Sequence, residues 1–153
     1  MDGRPHLKSR GFSLIELLIV VAIIGLIAVI AIPNLVNAVQ RARQARTVSS
    51  ARAIAAAVSM YQQDFTEFPL APSWVDVEEI RDHIAIYRGN MDPLDGWDEP
   101  FMYQSDGRAY TLVSYGMNRS PDTPWTRGPI SYFTDDIVID TGTFMQWPEG
   151  IQE

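Results

Sequence analysis

Glu16 is a carboxylate set in hydrocarbon. The run from Leu14 to Ile32 has 19 residues, and Glu16 is its single charge. An acid at the centre of a bilayer costs on the order of 2.5–3.5 kcal/mol on insertion scales, and less where it lies near a helix end. Such a group either snorkels to the interface, or stays protonated, or awaits a cation. The run itself holds no cation. One would appear if the chain were cut between Gly11 and Phe12, because the new α-amino group, with a reference pKa of about 7.7–8.0, would be largely protonated. The amine of one helix could then meet Glu16 of a neighbouring helix. That pair would be stronger in a low dielectric than in water. Glu16 thus reads as an assembly and register device, the best-attested use of a buried charge.

The elements that must place Glu16 follow from length and charge. A helix over Leu14–Ile32 would rise roughly 28 Å, close to the ~30 Å hydrocarbon core of a bilayer. A secretory signal peptide would have a shorter apolar core, about 7–15 residues, and a small-x-small site after it. Ile32-Pro33-Asn34 is not such a site. Arg4, Lys8 and Arg10 abut the apolar run more closely than Arg41, Arg43 and Arg46 do, so the flanking cations favour an inside N-terminus. From Asn34 to Gln63 the chain carries four arginines and no acid; from Asp64 onward it carries 17 acids and five arginines, a net −12. An apolar start, a basic stem and an acidic head result. The stem is rich in alanine and has no glycine, and Ile54, Val58, Tyr61 and Phe65 recur at helical spacing. One helix over Phe12–Gln63 would have 52 residues and run roughly 78 Å.

The head begins near Asp64. Trp74, Val77, Ile80 and Ile84 share a face, which predicts a short helix over Trp74–Ile84. "PFMY" and "AYTLVSY" predict two strands joined by a hairpin loop at Ser105–Arg108, and "DIVIDTGTFMQW" predicts one or two more, turning at Thr141-Gly142. Asp92, Asp95, Asp98 and Glu99 read as turn chemistry. The fold class is α+β: a long N-terminal helix packed on a small antiparallel sheet, with a loop-rich C-terminus. The sequence has two histidines, no cysteine, no Walker loop, no dinucleotide fingerprint and no nucleophile elbow. It predicts no enzyme. The acidic head would repel nucleic acid.

The stretch "RGFSLIELLIVVAIIGLIAVIAIP" resembles the prepilin N-terminus of type IV pilins and type II secretion pseudopilins: a short basic leader ending in glycine, then phenylalanine, then glutamate five residues into the mature chain. The resemblance implies a leader over 1–11, cleavage between Gly11 and Phe12 by a membrane aspartyl prepilin peptidase, and N-methylation of Phe12. It implies a transmembrane and filament-core helix half over 12–33, a stem over 34–63 and a head over 64–153, as in the type IV pilin-like fold. Gly25 and Pro33 fall where the family's helix loosens in filaments; proline removes a helical donor and glycine lowers helix propensity. The implied location is the bacterial inner membrane, with the N-terminus cytoplasmic and the head periplasmic. From there an assembly platform with a cytoplasmic ATPase would extract the subunit into a homopolymer joined by minor pilins or pseudopilins.

"DPLDGWDEPFMY" and "YTLVSYGMN" resemble segments of the major pseudopilin of type II secretion, and "TDDIVI" falls where that family has a terminal "DI". In that family the C-terminal loop binds calcium through two aspartates and backbone carbonyls. Here the first position is Asn118 and the second best matches Asp136. Asn118 with Asp122, Asp135 and Asp136 supplies oxygens of the type calcium takes; the alternative is a solvated acidic loop. The function implied is a structural pseudopilus subunit that drives protein export. A surface pilus subunit for motility or adhesion is the alternative, and a membrane-anchored module that never polymerises is a third reading.

Overall fold

The computed structural model describes residues 12–87, 89 and 91–150. The chain divides into two compact units, Met1–Val36 and Asn37–Glu153. Helix α1, Leu14–Phe65, contributes to both and has the expected 52 residues, shifted by two.

In the first unit α1 is apolar on every side. It is long and apolar enough to cross a membrane, and none of its most apolar stretch is buried. Pro33 lies inside the helix, which continues across it. Proline has no N–H for the i−4 carbonyl. The Asn34 amide donates to the Ile30 carbonyl at 3.1 Å, so a side chain adds a bond beside the break.

The second unit packs the alanine-rich part of α1 onto a six-stranded sheet. Its strands are β1 (Ala71–Asp76), β2 (Met102–Ser105), β3 (Tyr110–Ser114), β4 (Gly128–Ile130), β5 (Ile137–Asp140) and β6 (Thr143–Pro148). They lie in the order β1-β2-β3-β5-β6-β4. Ala51, Ile54, Ala57 and Val58 of α1 are buried against Phe101, Tyr103, Leu112 and Ile139. The small side chains let helix and sheet approach, and Ile54 and Val58 are fully buried between them. Tyr61 packs at the edge of this core. Phe65 stays largely exposed but stacks on Tyr61 at 4.4 Å.

Two expectations are corrected. The segment Trp74–Ile84 is not one helix: Trp74–Asp76 belong to β1, and helical structure starts with a 3-10 turn at Val77–Ile80 followed by α2, Arg81–Ile84. Pairing of Val75 with Tyr103 and of Asp76 with Met102 overrides the local helical spacing. The sheet is mixed, because β4 runs parallel to β6. It arises inside a loop expected to be irregular, and Pro129 is tolerated there because β4 is an edge strand. The expected hairpin forms as β2 and β3, closed by Asp106, whose Oδ1 accepts from the amides of Arg108 and Ala109. The second hairpin, β5 to β6, turns at Thr141-Gly142 as the composition predicted.

Candidate assembly and cation sites

In the first unit, Phe12 is 78% exposed and Glu16 lies at the start of α1. The Ser13 amide donates to Glu16 Oε2 at 2.9 Å, and the Ile15 amide makes a longer bond, 3.4 Å, to Ser13 Oγ. This is a variant of the capping box, with Glu16 reaching back to the N-cap amide and Ser13 Oγ taking the N2 amide: two free donors at a helix start each find a side-chain oxygen. Glu16 therefore has a partner in its own helix before any second copy arrives. The Ser-x-x-Glu spacing announces the box in sequence, and it is absent from the expectations above. Gly25 has open space around it, and nothing lies within 4 Å of a Cβ placed there. Gly11 lies outside the described residues.

In the second unit, the turn Asp92–Glu99 clasps the stem part of α1. Asp95 is fully buried and holds the turn from inside, accepting from the amides of Trp97 and Glu99 and from Ser114 Oγ at 2.6 Å. Gly96 sits directly on the helix backbone: its amide donates to Thr47 Oγ1 at 2.8 Å, and a Cβ there would overlap the Arg43 carbonyl oxygen. Trp97 Nε1 donates to Gln40 Oε1. Arg46 reaches Asp92 at 2.7 Å and Asp98 at 3.8 Å. The hydrogen bond and charge of Arg46 hold the Asp92 carboxyl below its ordinary range, and Asp92 in turn raises the Arg46 guanidinium. The acid cluster is turn chemistry, as its composition suggested, and also a socket for one stem arginine.

The loop between β3 and β5 carries the four residues considered for calcium. Asn118 Oδ1 accepts from the Ser120 amide, and Asp135 Oδ2 from the amides of Ser131 and Tyr132. Asp122 is exposed, and its amide donates to Asp136 Oδ2 at 2.9 Å. Trp125 Nε1 donates to the same oxygen at 2.6 Å. Among the described residues, no three acidic or histidine side chains converge as a metal cage requires. Asp136 is nevertheless unusual. It is fully buried, and its Oδ1 has no hydrogen-bond partner among the described residues. Burial pushes its carboxyl above the ordinary range; bonds from Asp122 and Trp125 oppose this, and the negative charges of Asp122 and Asp135 add to it. The carbonyl oxygens of Asp135, Phe133 and Thr134 crowd within 2.8–3.1 Å of where a Gly116 side chain would begin. Gly116 takes φ +63, so the position suits glycine twice over. A buried carboxylate oxygen without a partner among the described residues is the type of hard oxygen donor that calcium takes.

A family model for the prokaryotic N-terminal methylation motif matches residues 6–32. A second, for type II secretion system protein G, matches residues 34–131. Comparisons with curated proteins and with solved structures found no match.

Proposed function

This chain belongs to the type II secretion system protein G family, the major pseudopilins, and on that premise we propose how its parts work. It is a membrane-anchored structural subunit of the secretion pseudopilus. In our reading, a prepilin peptidase cuts between Gly11 and Phe12 and methylates the new amine. The N-terminus faces the cytoplasm and the head the periplasm. An ATP-driven platform extracts the subunit into a homopolymer, with minor pseudopilins joining it, and growth of that filament moves cargo outward.

The observation that carries this reading is the first unit, whose apolar side chains find no cover among the described residues. A surface of that kind needs lipid or other copies of itself. The Phe12 ammonium of one copy would exchange with the capping bond on Glu16 of another, leaving no charge alone in the apolar filament core. Gly25 and Pro33 are the positions where α1 would yield during packing. Mass spectrometry of the mature polypeptide tests the premise of the exchange: the expected mass lacks residues 1–11 and carries one added methyl group, and an intact leader would refute it.

We also propose that calcium binds the loop before β5. Asp136 Oδ1 and nearby main-chain carbonyls would hold it, with the oxygens of Asn118, Asp122 and Asp135 completing the shell directly or through water. The ion would neutralise a buried carboxylate and tie the loop to the end of β3. Calcium should raise the melting temperature of the detergent-solubilised chain and a chelator should reverse this; an unchanged melt would reject the site.

A further inference from the structure

The stem arginines differ in their partners. Arg46 holds Asp92 and Asp98, whereas Arg41, Arg43 and Arg52 have no carboxylate partner among the described residues. Arg52 is the best placed of the three. Its guanidinium lies over the Phe144 ring, 5.2 Å from the centroid. On one side of it lies a cavity of about 500 Å³ lined by Ala45, Ser49 and Pro148. On the other lies one of about 200 Å³ lined by Ala56, Ser59 and Phe144. The result is a shallow groove between the stem and the β5–β6 hairpin, floored by small side chains, with an anchored cation in its middle.

The matching surface lies on the same chain but elsewhere. Asp76, Glu78, Glu79 and Asp82 are exposed within seven consecutive residues. Arg81 engages Glu78, which leaves Asp76, Glu79 and Asp82 without a cation among the described residues. This segment begins at the end of β1, an edge strand, while the groove borders β5 and β6 in the other half of the strand order. A copy therefore carries the acidic surface and the basic groove at different places on its sheet. Two different surfaces that fit each other make a heterologous contact, which builds an open helical series wherever the rotation between copies does not close into a ring.

We propose that the Arg52 groove of one copy receives the Asp76–Asp82 segment of a second copy, and that this contact sets the register of neighbouring heads. The proposal rests on the pseudopilus reading and adds a named surface to it. Glu79 and Asp82 face the Arg52 guanidinium across the contact, while the small floor of the groove admits the turn that carries them. Complementary charge of this kind fixes register and rejects wrong partners more than it adds raw affinity.

The chain has no cysteine, so an engineered pair reports cleanly. Ser49→Cys with Ile86→Cys, an exposed position one turn beyond Asp82, in the full chain expressed beside its secretion machine, should yield a ladder of oxidised dimers, trimers and higher species. Adding Arg52→Glu should cut the ladder at least about tenfold, since like charges then face each other. Adding Glu79→Arg to that variant should restore it. Arg52→Gln should give an intermediate loss, and protease resistance of the head identifies any variant that misfolds, in which case Arg52→Gln decides. Filaments visible by microscopy without a ladder, or a ladder that neither arginine change weakens, or no rescue by the charge swap, would overturn the contact and leave the pseudopilus reading intact. Uncut leader with no filament at all would overturn both.

Discussion

The two units of α1 use the same kinds of side chain to opposite ends. Ile24 is 60% exposed and Ile54 is 0% exposed, although both are isoleucines inside one continuous helix. The difference is where the partner lies. Around Ile54 the chain supplies its own cover, in Phe101, Tyr103 and Leu112. Around Ile24 the described residues supply none. The two regions also treat charge differently. Glu16 is bonded to its own helix start at an exposed position. Asp95 is locked from three sides inside the head. The first unit bonds its carboxylate at an exposed helix start, and the second bonds its carboxylate inside a buried turn.

The largest effect should come from Gly11. Replacing it with a bulky residue should leave the leader attached and abolish filaments, while the head melts as before; a cut product would show that the glycine is dispensable. Gly96→Val comes next, because a side chain there meets helix backbone that has no rotamer to yield. It should destabilise the head by ~3 kcal/mol, read as a lower melting temperature in detergent. The paired isoleucines test the comparison directly. Ile54→Ala should cost about 2–5 kcal/mol of head stability. Ile24→Ala should leave the head melt unchanged and reduce assembly; a drop in the melt would break the division between the units.

The smallest effect concerns Arg46. Its partner Asp92 is depressed in the folded state, so their contribution is fully present above the unfolded carboxyl value of 3.8 and is lost as pH falls through the lower folded value. Arg46→Ala should remove that acid sensitivity and cost about 1 kcal/mol or less at neutral pH, because the pair is half exposed. An unchanged acid-melting profile would show that the pair contributes nothing.

Features that depend on near neighbours could be read without a structure. The long helix was visible in the apolar run and the alanine-rich stem, and the β2–β3 hairpin in its Asp-Gly loop, because helix spacing and turn chemistry act over a few residues. The cap formed by Ser13 and Glu16 was equally legible in its Ser-x-x-Glu spacing. Strand β1 was not legible, since Trp74 to Ile84 carries helical spacing and its true partners lie more than 20 residues onward in β2. Strand β4 was hidden for a similar reason, being three residues of edge in a proline-bearing loop.

For function, the sequence by itself determined that this protein has an apolar anchor with one carboxylate, a glycine before Phe12, and the motifs of a pseudopilin. Those are covalent facts of order and spacing. Tertiary structure alone decided that Asp95 is the buried hub of a turn clasping the stem, that Arg46 meets two carboxylates while Arg52 meets an aromatic ring, and that Asp136 Oδ1 has no hydrogen-bond partner among the described residues. Each of those depends on which groups lose water and which find partners when distant segments close on one another, and linear spacing carries no measure of that.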